Sequence, residues 1–284
     1  MKDNRFTVKQ KFPHTLKFNK YAYKIHTETK ELKGIKKYAR ILGGGGRELV
    51  RHNFNLWDYM DELKNNNYII ELEDGIKFYL PYCQYFDTIQ MEIARDDDFY
   101  DGKNLEYLKE KIIKPGMVIL DIGANIGNHT VFFAKKCMAA HVYSIEPQKN
   151  VYEILEKNIS LNSLDDVCTI YNIALGESLG KADIAFYNRT NCGGTRLTMS
   201  DDGDIVMSTL DGMNLPDIDF VKIDVEGFEY NVLKGGEKLL RSMSPILYVE
   251  INDENYQKVS ALLNSYGYTM TEKVNQGDYL FKKR

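Results

Sequence analysis

No apolar run in this chain approaches the ~20 residues of a membrane-spanning helix. The first residues carry charges throughout with no apolar core, so they do not form a signal peptide. Cysteine is sparse: Cys83, Cys137, Cys168 and Cys192 are scattered with no C-x-x-C pair. That spacing excludes a zinc knuckle and a disulfide frame, and it points to a reducing cytoplasm. An excess of positive charge is also missing. The net charge of -4 over 284 residues disfavours a nucleic-acid binder that works through bulk charge. No N-P-P-Y motif or catalytic cysteine pair of the kind found in nucleic-acid-modifying enzymes occurs. The run Gly43-Gly44-Gly45-Gly46 lacks a following Lys-Ser/Thr and is therefore no P-loop. It reads either as a linker or as a backbone nest for phosphate.

What is present is a core: 43% of the residues are apolar and 12% aromatic. Residues 1–67 read as an N-terminal helical extension, basic and aromatic at first, with a helix over Phe54–Lys64. In residues 68–114, Tyr68–Leu72 and Ile76–Leu80 flank an Asp74-Gly75 turn as a hairpin, and helices follow over Phe86–Ala94 and Leu105–Ile113. Between those helices, Asp96-Asp97-Asp98 is either a cation ligand or a solvated loop.

Residues 115–284 alternate strand and helix, the pattern of a parallel sheet covered on both faces. Strands are predicted over Val118–Ile122, His141–Ile145, Val167–Tyr171, Phe220–Ile223 and Ile246–Ile251. Helices are predicted over Asn128–Lys136, Asn150–Asn162, Tyr230–Leu240 and Asn255–Asn264. A terminal antiparallel hairpin pairs Tyr268–Lys273 with Asp278–Lys282. Ala182–Tyr187 and Ile205–Met207 read as short strands around a polar loop, Asn188–Asp204, placed as a lid or substrate rim. The fold class is thus α/β, a doubly wound, seven-stranded, mostly parallel sheet of Rossmann-like type with an N-terminal helical and hairpin extension.

The first strand ends at Asp121 and runs into a turn with Gly123, Ala124, Asn125 and Gly127 before a helix opens. Strand, glycine turn and helix form a nucleotide cradle, in which glycine admits the ligand to the backbone and the helix end presents free N–H groups. Three residues separate the two glycines, unlike the G-x-G-x-x-G of an NAD-dependent oxidoreductase. Glu146 closes the next strand about 20 residues on, the reach of an acid that binds a ribose diol. Asp224, Glu226 and Glu250 follow the ends of two later strands, on the side of an open sheet where ligands bind. The turn resembles the S-adenosylmethionine turn of class I methyltransferases.

The pair LDIGANIGNHT and VKIDVEGFE resembles the FkbM family of S-adenosylmethionine-dependent methyltransferases. IEPQKNVYEILEKNISLN, NIALGE, STLD and the upstream FDTIQMEI and DFY segments support the resemblance, which covers roughly residues 74–284. It implies O-methylation of a hydroxyl, often on sugars of bacterial surface polysaccharides or on secondary metabolites. By position, Asp121, Gly123, Ala124, Asn125 and Gly127 would form the cofactor turn. Glu146 would hold the ribose, and Asn172 and Ala174 would border the adenine. Lys222, Asp224, Glu226 and Glu250 would face the reacting centre. His129 reads either as a catalytic group reaching in from the first helical turn or as a packed residue.

A sugar hydroxyl is a poor acid, so a base or a metal must assist. Asp224 and Glu226 are the candidate bases. Alternatively, Asp224, Glu226 and Glu250 would ligate Mg²⁺ or Mn²⁺. The acceptor is read as a nucleotide-linked sugar, with Lys17, Lys20 and Lys24 meeting phosphates and Phe18, Tyr21 and Tyr23 stacking on a base or sugar. Those same residues would equally serve core packing or a homodimer contact. A non-catalytic cofactor-binding scaffold is the rival reading.

Overall fold

The computed structural model describes residues 56–72, 74–85, 87–188 and 191–284. The glycine run Gly43–Gly46 and the basic and aromatic residues between Lys17 and Lys24 lie outside them. Helix α1 (Leu56–Asn65) precedes the hairpin of β1 (Ile69–Glu71) and β2 (Lys77–Tyr79). Helices α2 (Thr88–Asp96) and α3 (Gly102–Lys111) lead to β3 (Val118–Ile122), α4 (Asn128–Lys135), β4 (His141–Ile145), α5 (Lys149–Leu161) and β5 (Cys168–Tyr171). Four short strands follow: β6 (Ala174–Leu175), β7 (Gly180–Phe186), β8 (Arg196–Met199) and β9 (Ile205–Ser208). Then come β10 (Phe220–Ile223), α6 (Glu229–Lys234), α7 (Glu237–Met243), β11 (Ile246–Glu250), α8 (Asp253–Ser265), β12 (Tyr268–Lys273) and β13 (Asp278–Lys283). Among the described residues no helix is long and apolar enough to cross a membrane.

The main sheet has seven strands in the order β12-β13-β11-β10-β3-β4-β5. The five strands from β11 to β5 run parallel, and β13 pairs antiparallel with both β11 and β12. Its central strands are mostly apolar and buried because helices cover both faces. One face packs Phe78, Leu105, Phe132, Phe133 and Leu155, and the other packs Leu120, Val232, Leu240, Val259 and Leu263. From β3 the chain winds outward through β4 and β5. It later returns beside β3 as β10 and winds the other way. The switch point therefore lies between β3 and β10, where such sheets open a crevice beyond their strand ends.

Two expectations are corrected. The helix predicted over Tyr230–Leu240 breaks at Gly235-Gly236 into α6 and α7. A Cβ on Gly235 would stand 2.0 Å from the Gly176 carbonyl oxygen, so this contact between backbones excludes any side chain. The polar segment Asn188–Asp204 is not loop throughout. It carries β8, which pairs antiparallel with β7 and completes a second sheet in the order β6-β9-β7-β8. That small sheet buries little beyond Ala174, Ala182 and Met207. Its ladder rests on backbone hydrogen bonds that a polar side-chain pattern does not advertise.

Candidate active site

At the switch point, register sets the first ion pair. Asp121 on β3 stands opposite Lys222 on β10. Both are buried, at 0% and 3% exposure, and Lys222 Nζ lies 3.4 Å from Asp121 Oδ1. The same ammonium lies 3.4 Å from Asp224 Oδ2 and donates to the Gly123 carbonyl at 2.8 Å. Burial alone would lower the Lys222 pKa, but Asp224, Asp121 and Glu250 outweigh it and hold the pKa above its ordinary value. Thr130 Oγ1 donates to Asp121 Oδ2 at 2.7 Å and lies 2.8 Å from Ser144 Oγ. Lys222 thus ties the glycine turn to the β10 loop.

The turn is a tight one. Gly123 and Ala124 donate their N–H groups to the Ile145 carbonyl, and Gly127 donates to the Ala124 carbonyl. Gly123 has φ +79, and a Cβ there would fall 1.8 Å from the Asp224 carbonyl oxygen. Only glycine meets both conditions. Glu146 faces the turn from the end of β4. Its Oε2 accepts the Asn125 N–H at 3.0 Å and its Oε1 accepts the Gln148 N–H at 2.8 Å. Burial pushes its carboxyl up to about 7, against the lowering effect of those two amides and Lys222.

This shift has a measurable consequence. A carboxyl that titrates near 4.5 in the unfolded chain and near 7 in the folded one favours folding when protonated. Its contribution is complete below pH 4.5 and is lost as pH rises through 7, by roughly 3 kcal/mol. Chemical unfolding at pH 5 and pH 8 is expected to show a fall in stability that Glu146→Gln flattens. An equal fall in the variant would contradict the assignment.

Gly123, Asn125, Glu146, Ala174, Asp224 and Glu226 line one cleft, with Gln148, Ile173, Gly193, Thr195, Leu197 and Phe228. Asp121 and Lys222 are buried beside it, and Ala124 and Gly127 shape the turn from behind. Asn172 is exposed and braces the wall by donating to the carbonyls of Glu146 and Pro147, at 2.9 and 3.1 Å. Glu226 adopts φ +51, a left-handed conformation seldom taken outside glycine, next to Gly227. Burial and the neighbouring Asp224 push its carboxyl up to about 7, while Arg196 on β8 pulls it down. Glu250 lies outside the cleft lining, and its pKa is raised, first by Asp224 and then by burial.

His129 packs its ring against Phe133 at 5.9 Å, and burial with Lys222 nearby pushes its pKa down to about 3. Among the described residues no three His, Cys, Asp or Glu side chains are grouped to hold a metal ion. The expected cation on Asp224, Glu226 and Glu250 therefore has no ligand set, and the Lys222 ammonium supplies the positive charge beside Asp224. Residues outside the sequence reading also serve the site. Gln148 follows Glu146 by two positions, a signal that was available. Thr130 and Thr195 carried none, because tertiary packing alone brings them here.

The profile of a protein family described as the methyltransferase FkbM domain matches residues 121–270. A hexuronic acid methyltransferase, AglP of Haloferax volcanii, is 30% identical over 141 residues, which are 48% of this chain and 56% of that protein. A ribosomal protein L11 methyltransferase of Caldanaerobacter subterraneus is 29% identical over 153 residues, covering 54% of this chain and 43% of that one. This chain spans about half the length of the curated relatives it matches. The crystal structure of a methyltransferase FkbM from Methylobacillus flagellatus aligns at 16% identity with a TM-score of 0.45, covering 67% of this chain and 52% of that one.

Proposed function

This chain belongs to the FkbM methyltransferase family, and on that premise we propose that it methylates a sugar hydroxyl with S-adenosylmethionine as donor. One observation carries the reading. The glycine turn, Glu146, Asp224 and Glu226 line a single cleft. When bound, the donor supplies an electrophilic methyl group on sulfur. The cleft fits such a group: backbone of the Gly123 turn lines it, and a buried acid, Glu146, stands where a ribose diol needs acceptors.

The residues then divide the work. Glu146 accepts from ribose hydroxyls. Lys222 pins the Gly123 carbonyl and Asp224 in one arrangement. Asp224 is engaged by the ammonium, so its role is to orient and to set the field. Glu226 has no ion pair or hydrogen bond among the described residues, lines the cleft and receives the proton leaving the acceptor hydroxyl. A sugar acceptor draws support from the relative named for hexuronic acid.

Transfer of labelled methyl groups to a panel of nucleotide-linked and free sugars tests the reading. Label in a sugar ether is expected. Label entering only protein or amine acceptors would replace it.

A further inference from the structure

The cleft has a wall that the methyltransferase motifs do not supply. It comes from the turn between β7 and β8, and three hydrogen bonds fasten it. Cys192 donates its N–H to Asp87 Oδ2 at 2.8 Å, and the same Asp87 caps α2 by accepting the Gln90 N–H. Gln148 Nε2 donates to the Cys192 carbonyl at 3.0 Å, and Cys192 Sγ donates to Asn125 Oδ1 at 3.4 Å. Gly193 presses on the cofactor turn so closely that a Cβ there would stand 2.6 Å from Asn125 Nδ2. The small sheet is therefore bolted to α2, to the glycine turn and to the loop after β4.

Two polar atoms of cleft-lining residues are left over here, one in this wall and one in the loop after β4. Thr195 is 7% exposed, and its Oγ1 has no hydrogen-bond partner among the described residues. Gln148 is also 7% exposed, and its Oε1 is likewise unpartnered. Both residues line the cleft. Buried polar atoms in native proteins are paired with protein, water or ligand, and these two meet no protein group among the described residues. Gln148 also adjoins the nucleoside side of the cleft, because its own N–H is held by Glu146.

We propose that Thr195 Oγ1 and Gln148 Oε1 bind the nucleoside of the methyl donor, so that the second sheet forms part of the donor site. The hydroxyl donates and accepts, and the amide oxygen accepts from an N–H such as an exocyclic amine. This inference rests on the reading of the cleft as the donor site.

Thr195→Val tests it, because valine keeps the shape and removes only the hydroxyl. Calorimetric titration with S-adenosylhomocysteine is expected to show about three- to tenfold weaker binding by the variant. The melting temperature without ligand should stay level or rise, since no protein hydrogen bond is lost. Thr195→Ser should keep most of the affinity. Wild-type affinity in Thr195→Val overturns the inference. So does a lower unliganded melting temperature in the valine variant, which would mark a structural hydroxyl. A wild-type protein that fails to bind S-adenosylhomocysteine defeats the donor-site reading itself, and this inference with it.

Discussion

Lys222→Met is expected to destabilise the protein by about 3–5 kcal/mol and to abolish methyl transfer. The ammonium is 3% exposed and is shared by Asp121, Asp224 and the Gly123 carbonyl. Methionine fills a similar volume but leaves Asp121, at 0% exposure, with no positive charge beside it. Removing one partner of a buried pair costs far more than the pair itself contributes, because the surviving charge stays desolvated. Thr130 still donates to Asp121, which sets a limit on the loss. The second effect is positional: without the ammonium, the Asp224 carboxylate loses its tie to the glycine turn. Guanidinium unfolding followed by circular dichroism gives the stability. Adding Asp224→Asn to Lys222→Met should recover part of it, since the residues share one network. A loss below about 1 kcal/mol would show that the three groups do not act as a unit.

Glu226→Gln is expected to lower kcat by about 10²- to 10⁴-fold, the usual worth of a positioned base. Affinity for S-adenosylhomocysteine should change by no more than a few-fold, because the glutamine keeps the shape of the cleft wall. The pH profile carries the sharper signature. The Glu226 carboxyl is held up to about 7 by burial and by Asp224, and it accepts a proton only when ionised. Methyl transfer should therefore be weak at pH 5.5, rise through about pH 7 and level off above pH 8. Asp224→Asn removes one of the groups that raise Glu226, so the midpoint in that variant should move to lower pH. A wild-type profile flat from pH 5.5 to 8.5 would remove Glu226 from the proton transfer, as would near-normal turnover by Glu226→Gln.

Much of this framework was legible in the residues. Strands β3, β4 and β10 fall on the predicted boundaries, because each is a short, mostly apolar segment that runs into a glycine or an acid at a loop. Asp121, Glu146 and Asp224 could be placed on one rim for the same reason. The ion pair that organises them could not. Asp121 and Lys222 are 101 positions apart and meet only through the β3–β10 register, and no local pattern encodes that pairing. The glycines of the proposed cofactor turn are marked by their spacing, whereas Gly235 and Gly236 read as helix interior, and only the fold brings the Gly176 backbone against Gly235 and the Leu210 side chain against Gly236. Least visible was the wall around Cys192 and Thr195. Of its strands β7 was read, but β8 exposes most of its side chains, so that segment lacks the alternation that marks a half-buried strand.

The donor cradle bears the weight of the functional reading, and one titration tests it most directly. S-adenosylhomocysteine and NAD are titrated calorimetrically into the wild-type protein and into Glu146→Ala. One equivalent of S-adenosylhomocysteine should bind the wild type, binding should be at least about tenfold weaker in the variant that lacks the acid proposed to face the ribose, and NAD should not compete. Tight NAD binding with no heat from S-adenosylhomocysteine, or equal affinities in the two proteins, would contradict it.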